Sequence, residues 1–191
     1  METPATNGDT GEVEAMRLLA EGDDSALNRL MQDWSPRVTA MLYRMTGNAS
    51  VAGDLAQETF VRLYQTCRRF RPGNSSRPFS TWIFGIAANL AKNHLRWKGR
   101  HPEAPLESAV DPGSADNPST SAESEERAVA VRKAIAALPH DQREVLVLSE
   151  YEGLSHAEIA EVAGCSVKAV ERRLSRAREL LKKELSRYLN G

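Results

Sequence analysis

From Val61 to Arg100 the sequence has no Asp and no Glu, although the 191-residue chain carries 26 acidic against 25 basic residues and a formal net charge of −1. Bases run through that stretch: Arg62, Arg68, Arg69, Arg71, Arg77, Lys92, Arg96, Lys98 and Arg100. The positive charge is therefore placed rather than general, and Phe70, Phe79, Trp82, Phe84 and Trp97 are interleaved with it. Bases hold phosphates and aromatic faces stack unpaired bases, so the mixture suits a nucleic-acid surface. Other scarcities exclude whole classes. Cysteine is limited to Cys67 and Cys165, far apart and without metal spacing, which excludes a disulfide framework and suits a reducing cytosol. His94, His101, His140 and His156 form no ligand cluster with Cys or carboxylates. No carboxylate pair or His/Cys constellation sits in the basic block, so no catalytic residue, metal or cofactor is assigned. No apolar run approaches the roughly 20 residues that span a bilayer. The opening METPATNGDTGEVEAM is acidic and lacks the apolar core of a signal peptide. A cytoplasmic protein without membrane insertion is expected.

Strand signals are nearly absent, and apolar residues recur at three and four, so an all-α fold is expected. A first helix is predicted from about Gly11 to Glu21. A second carries Leu27, Leu30, Met31, Trp34, Val38, Leu42 and Met45, capped by Asp23 or Asp24, kinked or restarted at Pro36 and ended by Gly47. A third is predicted from about Ser50 to Arg69. Turn formers fill Arg71 to Pro78, and a fourth helix follows from about Ser80 to Lys98. Its inner face is assigned Ile83, Ile86, Ala87 and Leu90, with Trp97 a further candidate. Asn89, Lys92, Asn93 and Arg96 fall at i, i+3, i+4 and i+7, where amides can read base edges and bases can hold phosphates. Asp54, Gln57 and Glu58 cluster on the third helix, a pattern that by itself only marks a solvated face.

The composition changes near residue 101. Through 124 the chain is rich in Pro, Ser and acid, with no Lys or Arg and no periodic apolar face, which reads as a flexible acidic linker. The expected organisation is a helical domain over 11–100, a linker over 101–124 and a second helical domain over 125–190, each with its own core and with no need to touch.

The second domain holds the strongest local pattern. Pro139 and Asp141 suit a helix start, and Gly153 a stop. Ser155-His-Ala-Glu158 is a capping box opening a short helix, Gly164 supplies the turn, and Ser166 caps a longer helix with Val167, Val170, Leu174, Ala177 and Leu181 inside. Short helix, glycine turn and long basic helix make a helix-turn-helix. Its outer face offers Ala169, Arg172, Arg173 and Arg176, flanked by Lys168 and Arg178, and Arg pairs bidentately with guanine or clamps phosphate. Glu171 among these bases either accepts from cytosine or pairs with Lys168 or Arg178.

Two DNA-binding helical modules joined by an acidic linker resemble the extracytoplasmic-function (ECF) sigma factors of bacterial RNA polymerase. The likeness extends from about residue 12 to 189 and rests on three groups of strings. DLAQETFVRLY (54–64) is similar to the family's polymerase-binding segment. FSTWIFGIAANLAKNHLR (79–96) is similar to the segment that melts and reads the −10 element. LPHDQREVLVL, GLSHAEIAEVAGCSV and RRLSRARELL are similar to the −35-reading domain. The resemblance implies that Asp54, Gln57 and Glu58 grip the clamp helices of the largest core-polymerase subunit. It implies −10 contacts from Arg71, Asn74, Arg77, Asn89, Lys92, Asn93 and Arg96. It implies −35 contacts from Ser166, Lys168, Ala169, Arg172, Arg173 and Arg176. Implied partners are core RNA polymerase, including the flap of its second-largest subunit, promoter DNA and, as in many members, an anti-sigma factor. The family's Gly-Thr-Val in the recognition helix is replaced here by Lys168-Ala169-Val170. Fully extended, 102–124 spans at most about 75–80 Å, enough to bridge readers two duplex turns, roughly 70 Å, apart.

Two other classes compete. A stand-alone helix-turn-helix regulator would need a ligand pocket or dimer seam in residues 12–98, and would not need the acid-free block or the Asn stripe. A nuclease would need carboxylates in the basic block, which has none.

Overall fold

The structure is a computed structural model that describes residues 8–70, 78–101 and 122–189. Among them the regular elements are all helical, as the apolar periodicity predicts. In chain order they are α1 (Gly8–Glu21), α2 (Ser25–Thr46), α3 (Ala49–Thr66) with a 3-10 turn at Cys67–Arg69, α4 (Phe79–Arg100), α5 (Ala122–Ala137), α6 (His140–Glu150), α7 (His156–Ala163) and α8 (Val167–Leu189).

The first four helices close around one apolar centre. Trp34 of α2 meets Phe79 and Phe84 of α4 edge-on, at 5.1 and 5.7 Å between ring centroids, the arrangement the ring quadrupoles favour. Trp82 is half-buried and packs on Phe70 and Phe79. Asn48 sets the start of α3 by accepting from the Val51 N–H at 3.0 Å, which fixes the rotation of every side chain after it. Gly47 ends α2 with φ 70°, donating its N–H to the Tyr43 carbonyl at 2.8 Å. Only glycine holds that left-handed turn without strain.

Three expectations are corrected, and one choice left open is decided. Pro36 does not restart α2, which is continuous from Ser25 to Thr46. Pro36 and Gln32 are both exposed, so the carbonyl left without its helical donor lies on the water side. Buried Trp34 and Val38 hold the helix on either side of it. At the start of α2 it is Asp23 that serves as the cap, accepting from both the N–H and the hydroxyl of Ser25, while Asp24 makes no capping bond. Pro139 sits at the N-cap of α6 rather than inside it. Helix α5 begins at Ala122, inside the stretch read as linker. Residues 102–121 lie outside the described residues.

The largest difference lies between the domains, which pack against each other. Helix α6 is buried nearly all round: Val145, Leu146, Val147 and Leu148 are in the core, and so are Arg143 and Glu144. A helix hidden on every side needs neighbours on every side. Helices α7 and α8 supply one flank and α2 another, while α4 packs on α7. Arg143 Nη1 donates across the boundary to the Met45 carbonyl at 2.7 Å, and Nη2 donates to the carbonyls of Leu138, at 3.0 Å, and Ala136. Arg44 stacks over Tyr151 at 4.1 Å, and Arg37 pairs with Glu152 at 3.4 Å. The Arg143 guanidinium thus collects carbonyls at the C-terminal ends of α2 and α5, where helical donors run out.

Candidate nucleic-acid and polymerase interface

Helix α3 presents Asp54 and Gln57 to solvent with Glu58 half-buried beside them. Glu58 accepts from Arg62 Nε at 2.8 Å one turn on. The same face continues through Val61 and Tyr64, 49% and 44% exposed. Those two positions extend the 54, 57, 58 spacing to 61 and 64, a signal present in the sequence but masked by the assumption that apolar residues point inward. The Tyr64 phenol is held above its ordinary pKa by its hydrogen bond with Asp24.

On α4 the predicted stripe divides. Asn89, Asn93 and Arg96 are exposed on one side. Lys92 turns the other way and lies 3.2 Å from Glu144 of α6. In the first turn of the helix, the Thr81 hydroxyl donates to Glu158 of α7 at 3.1 Å. Position 92 therefore belongs to the face that α4 offers to its own C-terminal domain. Burial pushes the Glu144 carboxyl above its ordinary pKa, and Lys92 only partly offsets this. Glu158 goes the other way. Its burial is outweighed by hydrogen bonds from the Ser155 hydroxyl, the Ser155 N–H and Thr81, which hold it below the usual value. Arg71, Asn74 and Arg77 lie outside the described residues.

By its spacing Trp97 is a candidate for the inner face of α4. It is instead 47% exposed and stacked on His101, at 4.9 Å between centroids and 22° between planes. The helix has left the domain core by its last turn, where Trp97 borders an open groove with Leu55 and Leu90. Nearby, burial and then the charge of Lys98 lower the pKa of His94, which favours the neutral ring.

In the C-terminal domain the local predictions of caps and turn hold. Ser155 and Glu158 form a reciprocal capping box, with 2.8 Å from the Ser155 N–H to Glu158 Oε2 and 3.3 Å from the Glu158 N–H to Ser155 Oγ. Gly164 turns with φ 66°, the left-handed region that a side chain would strain. Ser166 Oγ accepts from the Ala169 N–H at 3.2 Å and aims α8.

The outer face of α8 is less uniform than the spacing implies. Lys168, Arg172 and Arg176 are exposed and Ala169 is half-buried. Arg173 folds back, with Nε 3.1 Å from Asp141 and Nη1 3.4 Å from Cys165 Sγ. Glu171 pairs with neither base proposed for it. It lies 3.9 Å from His156 of α7, and Arg178 bonds Glu150 of α6 at 2.7 Å. Both pairs clip α8 to the rest of its domain. Among the described residues, no group of three or more His, Cys, Asp or Glu side chains is placed to hold a metal ion, and no helix is long and apolar enough to cross a membrane.

Known proteins share both halves of this geometry. The family description Sigma-70 region 2 fits residues 30–101, and Sigma-70, region 4 fits 128–181. The RNA polymerase sigma-H factor of Pseudomonas aeruginosa is 37% identical over 177 residues, 88% of this chain and 90% of that protein. The ECF RNA polymerase sigma-E factor of Escherichia coli is 34% identical over 170 residues, 84% and 87% of the two chains. Among solved structures, CnrH in complex with the cytosolic domain of CnrY is similar at 25% identity and TM-score 0.69, covering 92% of this chain and 97% of that one.

Proposed function

The chain belongs to the ECF sigma factors of the sigma-70 family, which direct RNA polymerase to promoters, and from this premise we propose how its surfaces divide the work. Asp54, Gln57 and Glu58 on α3 grip core polymerase at the clamp helices of its largest subunit. Asn89, Asn93 and Arg96 on α4 take the −10 strand as it opens, amides toward bases and Arg toward phosphate. Lys168, Arg172 and Arg176 on α8 meet the −35 element in the major groove, with Ser166 and Ala169 at the start of that helix. Lys92 and Arg173 join their surfaces only after leaving Glu144 and Asp141. Arg71, Asn74 and Arg77 complete the −10 surface. The factor works in the cytoplasm, where polymerase meets DNA, as an initiation factor rather than an enzyme. The flap of the second-largest subunit engages the C-terminal domain. An anti-sigma partner restrains the protein, much as the similar CnrH is held in a complex with a domain of CnrY.

The observation that carries this reading is the exposed Asn89–Asn93–Arg96 stripe on a chain that also builds a capped helix-turn-helix with Arg172 and Arg176 outward. A stand-alone regulator is not favoured, because the sigma-70 region 2 match occupies the residues where such a protein would keep its sensing or dimerising domain.

The packed arrangement adds a condition. Helix α4 lies against α7, and packed helices are separated by about 8–10 Å. Elements two turns apart on duplex are roughly 70 Å apart. Simultaneous reading of both elements therefore requires the two domains to separate, and the 102–121 stretch has the length to allow it. Flipping a −10 base then costs a few kcal/mol, which stacking and amide hydrogen bonds offset. The test is run-off transcription on a randomised promoter library, alongside binding measurements with the isolated chain. Transcription of a recurring −35/−10 pair only when chain and core polymerase are combined is the expected result. Tight, specific promoter opening by the chain alone would overturn the proposal.

A further inference from the structure

The last two turns of α4 border a groove that the function above uses only through Asn93 and Arg96. Its volume is about 470 Å³, and it runs between α3 and α4 with Leu55 and Arg62 on one wall and Asn93, Arg96, Trp97 and Arg100 on the other. The α4 side is acid-free by sequence. On the α3 side, Glu58 accepts from Arg62 Nε at 2.8 Å and holds it in place. Inside this basic groove the indole is left 47% exposed, an aromatic surface on which a flat partner can stack. His101 lies nearly parallel behind the indole, and its Nδ1 is 3.1 Å from the Trp97 carbonyl, so ring and helix end are clipped together. Arg100 reaches back to the Arg96 carbonyl at 3.4 Å. The platform is thus preformed, and it loses little side-chain freedom when something stacks on it.

Its place along the helix indicates the ligand. Asn89, Asn93 and Trp97 follow one another at successive turns of α4, each about 6 Å further along. From the Trp97 end the chain continues into the stretch that leads to the C-terminal domain, so this end faces the −35 side. We propose that Trp97, backed by His101, is a stacking platform for an unpaired base of promoter DNA at the −35-facing edge of the opened −10 region, with Arg62, Arg96 and Arg100 holding the adjoining phosphates. This rests on the reading that α4 faces the −10 strand. A protein helix lying in the same groove is the rival occupant, and its arginines would then meet polymerase carboxylates.

The test uses holoenzyme made with core polymerase and a fork DNA bearing a duplex upstream arm and a single-stranded −10 stretch from a library-selected promoter. 2-Aminopurine is walked across the junction. Wild type should quench one position strongly. Trp97→Ala should abolish that quenching and weaken fork binding about tenfold, as loss of one stacked base does, while Trp97→Phe should retain most of both. His101→Ala should reduce quenching less. Core-polymerase affinity should be unchanged in all three, which also reports correct folding. Unaltered quenching in Trp97→Ala would overturn the platform. Reduced core affinity in Trp97→Ala would overturn it as well, giving the groove to polymerase. Asn89→Ala with Asn93→Ala separates the two levels. If that double variant loses fork binding while Trp97→Ala does not, only this inference falls; if neither loses it, the assignment of α4 to −10 DNA falls too.

Discussion

Helices α4 and α8, the two helices proposed to face DNA, keep their charge available by opposite means. On α4 the acids are simply missing, so Asn89, Asn93 and Arg96 stand in solvent with no carboxylate of their own helix near them. On α8 acids are mixed in, at Glu171, Glu179 and Glu184, and partners elsewhere in the fold decide which bases remain outward. Asp141 takes Arg173 and Glu150 takes Arg178, leaving Lys168, Arg172 and Arg176 exposed. A helix that inserts into duplex needs a rigid mount, and these pairs stiffen it. A helix that receives a melted strand needs a broad unopposed field, which falls off only over the ~10 Å Debye length at moderate salt. Even so, α4 yields one base to the fold, since Lys92 is occupied by Glu144.

The comparison is broken most severely at Arg143, on which the mount of the C-terminal domain depends. Arg143→Ala leaves three carbonyls without their donor and should lower unfolding free energy by about 3 kcal/mol, read by chemical denaturation. Arg176→Ala, an equal change in charge on an exposed side chain, should stay within about 0.5 kcal/mol in the same assay. Equal losses would mean that charge, not buried hydrogen bonding, holds the domain.

Next in size is the loss of the α4 amides. Asn89→Ala with Asn93→Ala should weaken promoter opening by about 2 kcal/mol, measured by permanganate reactivity of the −10 stretch in holoenzyme. Binding to core polymerase and to isolated −35 duplex should not change. On α8, Arg176→Ala should cost about 1.5 kcal/mol in −35 binding, while Arg173→Ala should cost less in DNA binding and show instead as a lower melting temperature, because its partner is Asp141. If Arg173 proves the stronger DNA contact, the ion pair opens on binding and the division drawn on α8 is wrong.

The smallest effect concerns the contact between the domains. Glu144 and Glu152 both have raised pKa values in the packed form, mainly from burial. A carboxyl whose pKa is raised by packing favours packing when protonated. Its contribution is fully present below the ordinary carboxylate pKa and is lost as pH rises through the raised value. Small-angle scattering of the isolated chain should therefore show a more closed molecule just above the ordinary carboxylate range than at neutral pH. Glu144→Gln should flatten that dependence and shift the closed-to-open ratio at neutral pH by about twofold toward closed. A shift toward open would mean that the Lys92 pair, not burial of the carboxyl, governs the contact.

Much of this was legible from residues close in the chain. The capping box at Ser155 and Glu158, the Gly164 turn, the Asn48-led start of α3 near the predicted Ser50, and the spacing of Asn89, Asn93 and Arg96 all depend on groups three or four residues apart, and all appear in the structure. Trp97 was misplaced because periodicity extrapolates a core beyond the point where the core stops. Pro36 was misplaced because a missing donor matters little where the abandoned carbonyl faces water.

By itself the sequence determined the all-helical fold, the helix-turn-helix, the placement of positive charge and the sigma-factor resemblance, since these follow from short-range hydrogen bonding, apolar spacing and the absence of acids. Only the tertiary structure decided which bases are reachable and that the two domains close on each other. Those outcomes rest on pairs such as Arg143 with the Met45 carbonyl, 98 residues apart, and Lys92 with Glu144. A charged side chain leaves water only where the whole fold assembles its partner, and no local pattern records where that partner will be.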